Sequence, residues 1–422
     1  MTATMTAKLH QLAIEGGIPV RDQFLPFGAP CLGEEEISEV VATLRSGWIG
    51  TGPRAKQFEQ EFAAYVGARF AISLNSCTAG LFLSLKALGI GPGDAVITTS
   101  LTFGATANVI EHVGARPVFV DIDPHTLNID PNQVEAELKR RDSTQLGPGG
   151  RLKAIVPVHY GGLACDLDAV YQLAGRYGVS IVEDAAHAVG TRYKGRMIGA
   201  ISSLTCFSFY ANKNLTTAEG GMVTTDDPAL EERLRVYHLH GLSRDAWKRF
   251  GSRRVASEVL VPGYKFNMPD LSAALGLHQL RKQEQFLATR ERYATLYDAA
   301  FADLPVRRQY RPAVMPGHSA GAPDRHALHL YVLILDPAAF RATRDEIVDA
   351  LLAENIGASI HYRALHTHRW YRETYGYRPQ DYPVADYIGE NTISLPMTPG
   401  MSDEDAQDVV VAVRKVLEAY LQ

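Results

Sequence analysis

The chain has 422 residues, 46% of them hydrophobic and 21% charged, with a net charge of −5. That is too long for one small core and ordinary for a soluble globular protein of about two to three domains. The acidic balance gives no drive toward nucleic acid or anionic lipid, and no run approaches the roughly 18 apolar residues of a membrane span. The opening MTATMTAKLHQLAIEGG has one lysine and no long apolar core, unlike a secretory signal. Cys31, Cys77, Cys165 and Cys206 lie far apart with no C-x-x-C pair. This indicates neither a zinc knuckle nor a disulfide scaffold and fits a reducing cytoplasm.

In chain order, residues 1–27 read as an arm that packs on something else. A helix is predicted over Gly33–Ser46, with Ile37, Val40, Val41 and Leu44 on one face and Glu34–Glu36 in its first turn. The glycine-rich turn Gly47–Pro53 leads to a helix over Arg54–Val66. From Phe70 onward strand and helix patterns alternate: strands at Arg69–Leu74, Ala95–Thr99, Pro117–Asp121, Ala154–Val158 and Ser180–Glu183, with helices between them, one of them over Leu81–Leu88. This alternation predicts a mostly parallel sheet covered on both faces, with ligands beyond the carboxyl ends of the strands. Residues 28–280 are assigned to this large α/β domain. Residues 281–422 read as a smaller α+β domain: a helical stripe with Phe286, Tyr293 and Tyr297, a strand at Leu328–Leu335, a Thr343/Glu346 capping box, and a last helix from Ser402.

Three places carry chemistry. SLTCFSFYANKNLTTAEGGMVTTDD presents Lys213 on a polar turn just beyond a β-prone run. Burial there favours the neutral amine, which can condense with an aldehyde; the alternative is a strand-flanking lysine that snorkels to water. Ser76-Cys77-Thr78, between a strand and a helix, offers free N–H groups to an anion such as phosphate, or a plain helix cap. Asp184 ends a strand at the functional edge. It suits a cationic partner such as a protonated pyridine nitrogen, or else caps a following helix. With Phe103 as an aromatic after the next strand, these residues cover the needs of pyridoxal 5′-phosphate (PLP): phosphate, ring face, ring nitrogen and aldehyde. Gly89-Ile90-Gly91-Pro92-Gly93 follows a helix and precedes a strand, the wrong order for a dinucleotide fingerprint, and reads as a turn.

SGWIGTGPR, NSCTAGL, SLTFGATANVI, VFVDIDPHTLNID, IVEDAAHAVGTRYKGRMIGA, FSFYANKNLTTAEGGMVTTDD and PGYKFNMPDLSAALGLHQL resemble, in order, the DegT-type sugar aminotransferases. The resemblance spans roughly residues 20–420 and implies the PLP-dependent type I (aspartate-aminotransferase-like) fold. Within the family, DAAHAVGTRYKGRMIGA and HYRALHTHRWYRE resemble the aminotransferases that form UDP-4-amino-4-deoxy-L-arabinose. Carried over, the resemblance makes Lys213 the amine that takes the cofactor's aldehyde and later shuttles a proton. It puts Asp184 on the pyridine nitrogen, His187 near the ring hydroxyl and Phe103 on the ring face. Cys77, Thr78 and Ser208 are expected at the phosphate, helped by Asn267 from a second subunit of a homodimer with shared sites. Lys213 excludes the family's dehydratase branch, where histidine replaces it, and Glu219-Gly220-Gly221 resembles enzymes that aminate sugar carbon 4.

The expected reaction moves an amino group from glutamate to a keto-sugar linked to a nucleotide. The alternatives are a carbon-3 keto-sugar or aminocyclitol aminotransferase and a non-catalytic regulatory protein on the same fold. The loop His238–Val261 carries Arg244, Lys248, Arg249, Arg253 and Arg254; Arg253 and Arg254 are candidates for the sugar-nucleotide diphosphate, since guanidinium groups bind phosphate bidentately. His326, His329, His361, His366 and His368 lack metal-ligand spacing, so no metal is expected. By resemblance His361 is a substrate-side residue.

Overall fold

The computed structural model describes residues 11–143, 151–243, 258–312 and 324–422. Arg253 and Arg254, with the rest of the basic run from Arg244, lie outside the described residues. Two four-stranded sheets form the first half. One is ordered Arg116–Val120, Asp94–Thr99, Arg151–Val156, Ser180–Ile181; the other Phe70–Leu74, Gly221–Thr225, Thr205–Ser208, Glu183–Asp184. They are joined through the segment Ser180 to Asp184. Val182 N–H donates to Ile155 O (3.1 Å) and Asp184 N–H to Pro157 O (2.9 Å) on one side, and Glu183 N–H donates to Leu204 O (2.9 Å) on the other. Pairing is parallel except along Gly221–Thr225, which runs antiparallel to both neighbours. Helices cover both faces, so the strands are buried almost throughout and read as apolar runs rather than alternations.

Two boundaries shift in ways that matter for the site. The helix expected from Leu81 begins at Cys77, because Ser76 caps it: its Oγ accepts the Ala79 N–H at 3.1 Å. The strand at Gly221 lies against that helix start. A Cβ at Gly221 would stand 2.4 Å from Ser76 C and 2.5 Å from Cys77 N, so only glycine allows this approach.

The helix Glu34–Ser46 forms as expected, but its apolar face is only partly covered among the described residues, Val40 and Val41 being half-buried. Ile37 and Leu44 are 51% and 54% exposed, while Glu36 is fully buried. Glu36 points inward because it accepts from the Gly33 N–H (2.8 Å), Gln279 (2.9 Å) and Lys282 (2.8 Å), which compensates a buried carboxylate.

The second half packs the helices Gln283–Ala300, Arg344–Ala353 and Asp403–Tyr420 against an antiparallel sheet of Val306–Arg308, Tyr331–Leu335 and Thr392–Leu395. The Thr343/Glu346 capping box forms, and Val409, Val410, Val413, Val416 and Leu417 face inward from the last helix. Leu12 and Leu25 join this core from the N-terminal segment, and Leu25 bridges to Ile356. Among the described residues no helix is long and apolar enough to cross a membrane.

One carboxylate ties the glycine-rich turn to the helix Asp270–Arg281. Asp270, fully buried, accepts the N–H groups of Gly52 (2.7 Å), Arg54 (3.1 Å) and Ala55 (2.9 Å) at the start of the helix Pro53–Val66. Asp270→Ala is expected to lower unfolding free energy by about 2–3 kcal/mol, read by denaturant titration, because it strands helix-start donors in the interior. A change under about 0.5 kcal/mol would contradict this account of the cap.

Candidate active site

At the carboxyl ends of the parallel strands lies a cavity of about 450 Å³, a size suited to a small ligand. Cys77, Thr78, Phe103, Asp184, His187, Ser208, Lys213 and His361 all line it. Asn267 does not: its Oδ1 accepts from Lys265 Nζ at 2.6 Å and its amide donates to Thr51 Oγ1.

Each lining group has a local reason for its position. Ser76 takes the Ala79 N–H on its hydroxyl and the Gly80 N–H on its carbonyl (3.2 Å). The amides of Cys77 and Thr78 are left at the open, positive end of the helix. Ser208 ends the strand Thr205–Ser208 beside them. Phe103 precedes the helix Gly104–His112 and is 63% exposed, with its ring 6.0 Å from that of Tyr362.

Asp184 does not cap a helix; a turn follows it. Its Oδ1 accepts the Ala186 N–H (3.1 Å) and its Oδ2 the Thr106 hydroxyl (2.8 Å). It makes no ion pair among the described residues. Burial pushes the Asp184 carboxyl above its ordinary value, against those hydrogen bonds and the nearby Lys213. A buried carboxylate facing a cavity without an ion-pair partner is matched to a cationic ligand atom.

Lys213 follows Tyr210 in a tight turn, with its N–H bonded to Tyr210 O at 3.0 Å. Its amine opens to the cavity, and burial lowers it to about 8, opposed by the Asp184 carboxylate. It is not a snorkelling surface lysine. Near neutral pH a useful fraction is therefore the nucleophilic free amine.

His187 has a fixed tautomer. The Gly161 N–H donates to Nδ1 (3.2 Å), leaving the ring proton on Nε2, 3.0 Å from the Tyr362 hydroxyl. Burial holds its pKa well below the ordinary value. His361 Nδ1 lies 2.9 Å from Ser394 Oγ, and burial lowers this ring to about 3. Among the described residues no group of three or more His, Cys, Asp or Glu is disposed to hold a metal ion. His326 pairs with Gln309, and His366 with Ser100 and Pro379 O.

Sequence reasoning missed Thr106 and Tyr362, which also line the cavity. Thr106 follows Phe103 by three residues, the spacing that puts it on the same side of a helix start; nothing else in the sequence marks it. Tyr362 adjoins His361 and is found only when the second half folds back over the sheet edge.

The donor set fits PLP. Helix-start amides and a serine hydroxyl can hold a phosphate, Asp184 a protonated ring nitrogen, and Lys213 an aldehyde. The comparisons agree. Residues 30–414 match the DegT/DnrJ/EryC1/StrS aminotransferase family. The spore coat polysaccharide biosynthesis protein SpsC of Bacillus subtilis is 51% identical over 400 residues, 94% of this chain and 98% of SpsC. Spr1654 of Streptococcus pneumoniae, in its PMP form, superposes with a TM-score of 0.83 at 33% identity, covering 94% of this chain and 98% of that one. PseC of Helicobacter pylori, an aminotransferase involved in the biosynthesis of pseudoaminic acid, gives a TM-score of 0.82 at 28% identity, covering 94% of this chain and all of PseC (100%).

Proposed function

The chain belongs to the DegT/DnrJ/EryC1/StrS family of PLP-dependent sugar aminotransferases, and on that premise we propose that it moves an amino group from glutamate to carbon 4 of a nucleotide-linked keto-sugar. Bound PLP supplies an aldehyde to carry the amino group and a ring that withdraws electrons when a C–H bond breaks. Lys213 would hold that aldehyde and, as the released amine, would carry the proton at the reacting carbon. Asp184 would keep the ring nitrogen protonated, with Thr106 orienting its carboxylate. Cys77, Thr78 and Ser208 would hold the phosphate, with Phe103 at the ring face and His187 at the ring hydroxyl.

The observation that carries the reading is the convergence of a free lysine amine, a buried carboxylate without an ion-pair partner and an open helix start on one cavity. Carbon 4 is supported by the resemblance of Glu219-Gly220-Gly221, of which Glu219 and Gly220 line the cavity. A nucleotide-linked substrate is supported by the resemblance and by the basic run with Arg253 and Arg254. A homodimer that brings Asn267 to the neighbouring phosphate is supported by the exposed apolar side chains Leu32, Ile37, Leu44, Trp48 and Ile49. A cytoplasmic setting is supported by four free cysteines.

Supplying 4-keto and 3-keto nucleotide sugars with glutamate, then locating the new amine by NMR, is the direct test. Amination at carbon 3 alone, or of sugars lacking a nucleotide, would overturn the substrate assignment. Arg253→Ala with Arg254→Ala is expected to raise KM for the sugar nucleotide about tenfold or more and leave KM for glutamate unchanged. Equal rises in both would count against the role of this pair.

A further inference from the structure

Two polar groups beside Lys213 have no part in the roles above. Lys213 Nζ lies 3.4 Å from His329 Nε2, a long hydrogen bond. On the other side of that ring, Nδ1 lies 3.2 Å from Asn214 Oδ1, and Asn214 Nδ2 donates to Ala327 O at 2.8 Å. The amide nitrogen is committed to a carbonyl, so the atom facing the ring is an oxygen and can only accept. The ring proton of His329 is therefore on Nδ1, and Nε2 presents a lone pair to the amine. The backbone is held as well: Arg290 donates to Leu328 O (3.1 Å), His329 O (3.4 Å) and Met397 O (2.5 Å). The His187 ring, 4.4 Å from that of His329, does not compete, because its own nitrogens face Gly161 and Tyr362.

We propose that His329, its tautomer fixed by Asn214, is a further catalytic residue whose Nε2 accepts a hydrogen bond from the free Lys213 amine and holds that amine protonated and oriented during proton transfer. This rests on Lys213 being the reacting amine. No bond is made or broken by His329.

The groups facing this pair leave room for such a role. Cys77 and Asp184 act on Lys213; His187, His361 and Arg290 act on His329. Glu219 and Tyr210 line the same cavity. Burial keeps the Cys77 thiol and the His187 and His361 rings neutral, and Arg290 is fixed on carbonyl oxygens. Desolvation drives the Lys213 ammonium toward the neutral form, and an acceptor on the charged form opposes it.

The test is competitive labelling with acetic anhydride across pH, with the Lys213 peptide read by mass spectrometry. It uses the full-length protein freed of cofactor and, in parallel, holoenzyme exposed to excess glutamate. Wild type is expected to titrate near 8. His329→Leu should lower the midpoint by about one unit, and His329→Gln, whose amide oxygen reaches the Nε2 position, should restore most of it. Asn214→Leu should lower it with His329 still present, since the ring is then free to take the other tautomer. In activity, His329→Leu should lose about tenfold or more in kcat with KM for glutamate within about twofold. A His329→Leu midpoint within about 0.3 of wild type, or a Gln variant no closer to wild type than Leu, overturns the proposal. Should the Leu variant lack a cooperative thermal transition, the Gln and Asn214→Leu midpoints decide in the same way. Failure of the underlying reading shows separately: borohydride reduction of the holoenzyme would then map the cofactor to another lysine.

Discussion

Lys213→Ala is expected to lower kcat by about 10⁴-fold, since one amine serves both as nucleophile and as proton carrier. Borohydride reduction of the wild-type holoenzyme should fix the cofactor on the peptide containing Lys213, and the variant should show no reduced adduct. An adduct on a different lysine, or a variant with more than a few per cent of wild-type rate, would end the assignment. The sign of the pH dependence follows from the amine. Its pKa is lowered to about 8 by burial, so the nucleophilic fraction rises about tenfold per pH unit below 8 and levels off above it. Cofactor capture by the cofactor-free protein should follow that curve. A rate still climbing between pH 9 and 10 would mean that burial does not shift this lysine.

Asp184→Asn is expected to cost about 10²–10³-fold in kcat without loss of fold. The amide keeps the shape and can still meet Thr106 and the Ala186 N–H, but it carries no charge to hold a proton on a ring nitrogen. Stability should move the other way. Asp184 has a folded pKa above its unfolded value, so its ionised form destabilises the fold. That penalty is absent below the unfolded pKa, grows between the two values and is complete above the folded one. At neutral pH the cofactor-free Asn variant should therefore be at least as stable as wild type. A variant that unfolds more readily while keeping its rate would make Asp184 a structural residue instead.

The large sheet was legible because its strands carry runs such as Ala95–Thr99 and Ala154–Val156, and their alternation with helical periodicity admits few other folds. The Thr343/Glu346 capping box and the Ser402 start of the last helix were equally plain, since capping and periodicity are local properties. The helix Glu34–Ser46 shows the limit of such reading. Its apolar stripe was visible, yet Glu36 is buried and Ile37 exposed, because the decisive partners, Gln279 and Lys282, lie far along the chain.

The same division runs through the site. Local order along the chain determined that Lys213 stands on a turn after a strand, that Asp184 ends a strand and that Ser76-Cys77-Thr78 lies between a strand and a helix. These identities follow from periodicity, caps and turns within a few residues. The distant contacts were decided only in three dimensions: Thr106 on Asp184, Tyr362 on His187, and His329 between Asn214 and Lys213. Each joins segments separated by dozens to hundreds of residues, and no local propensity encodes which polar atom a buried group will meet once water is gone.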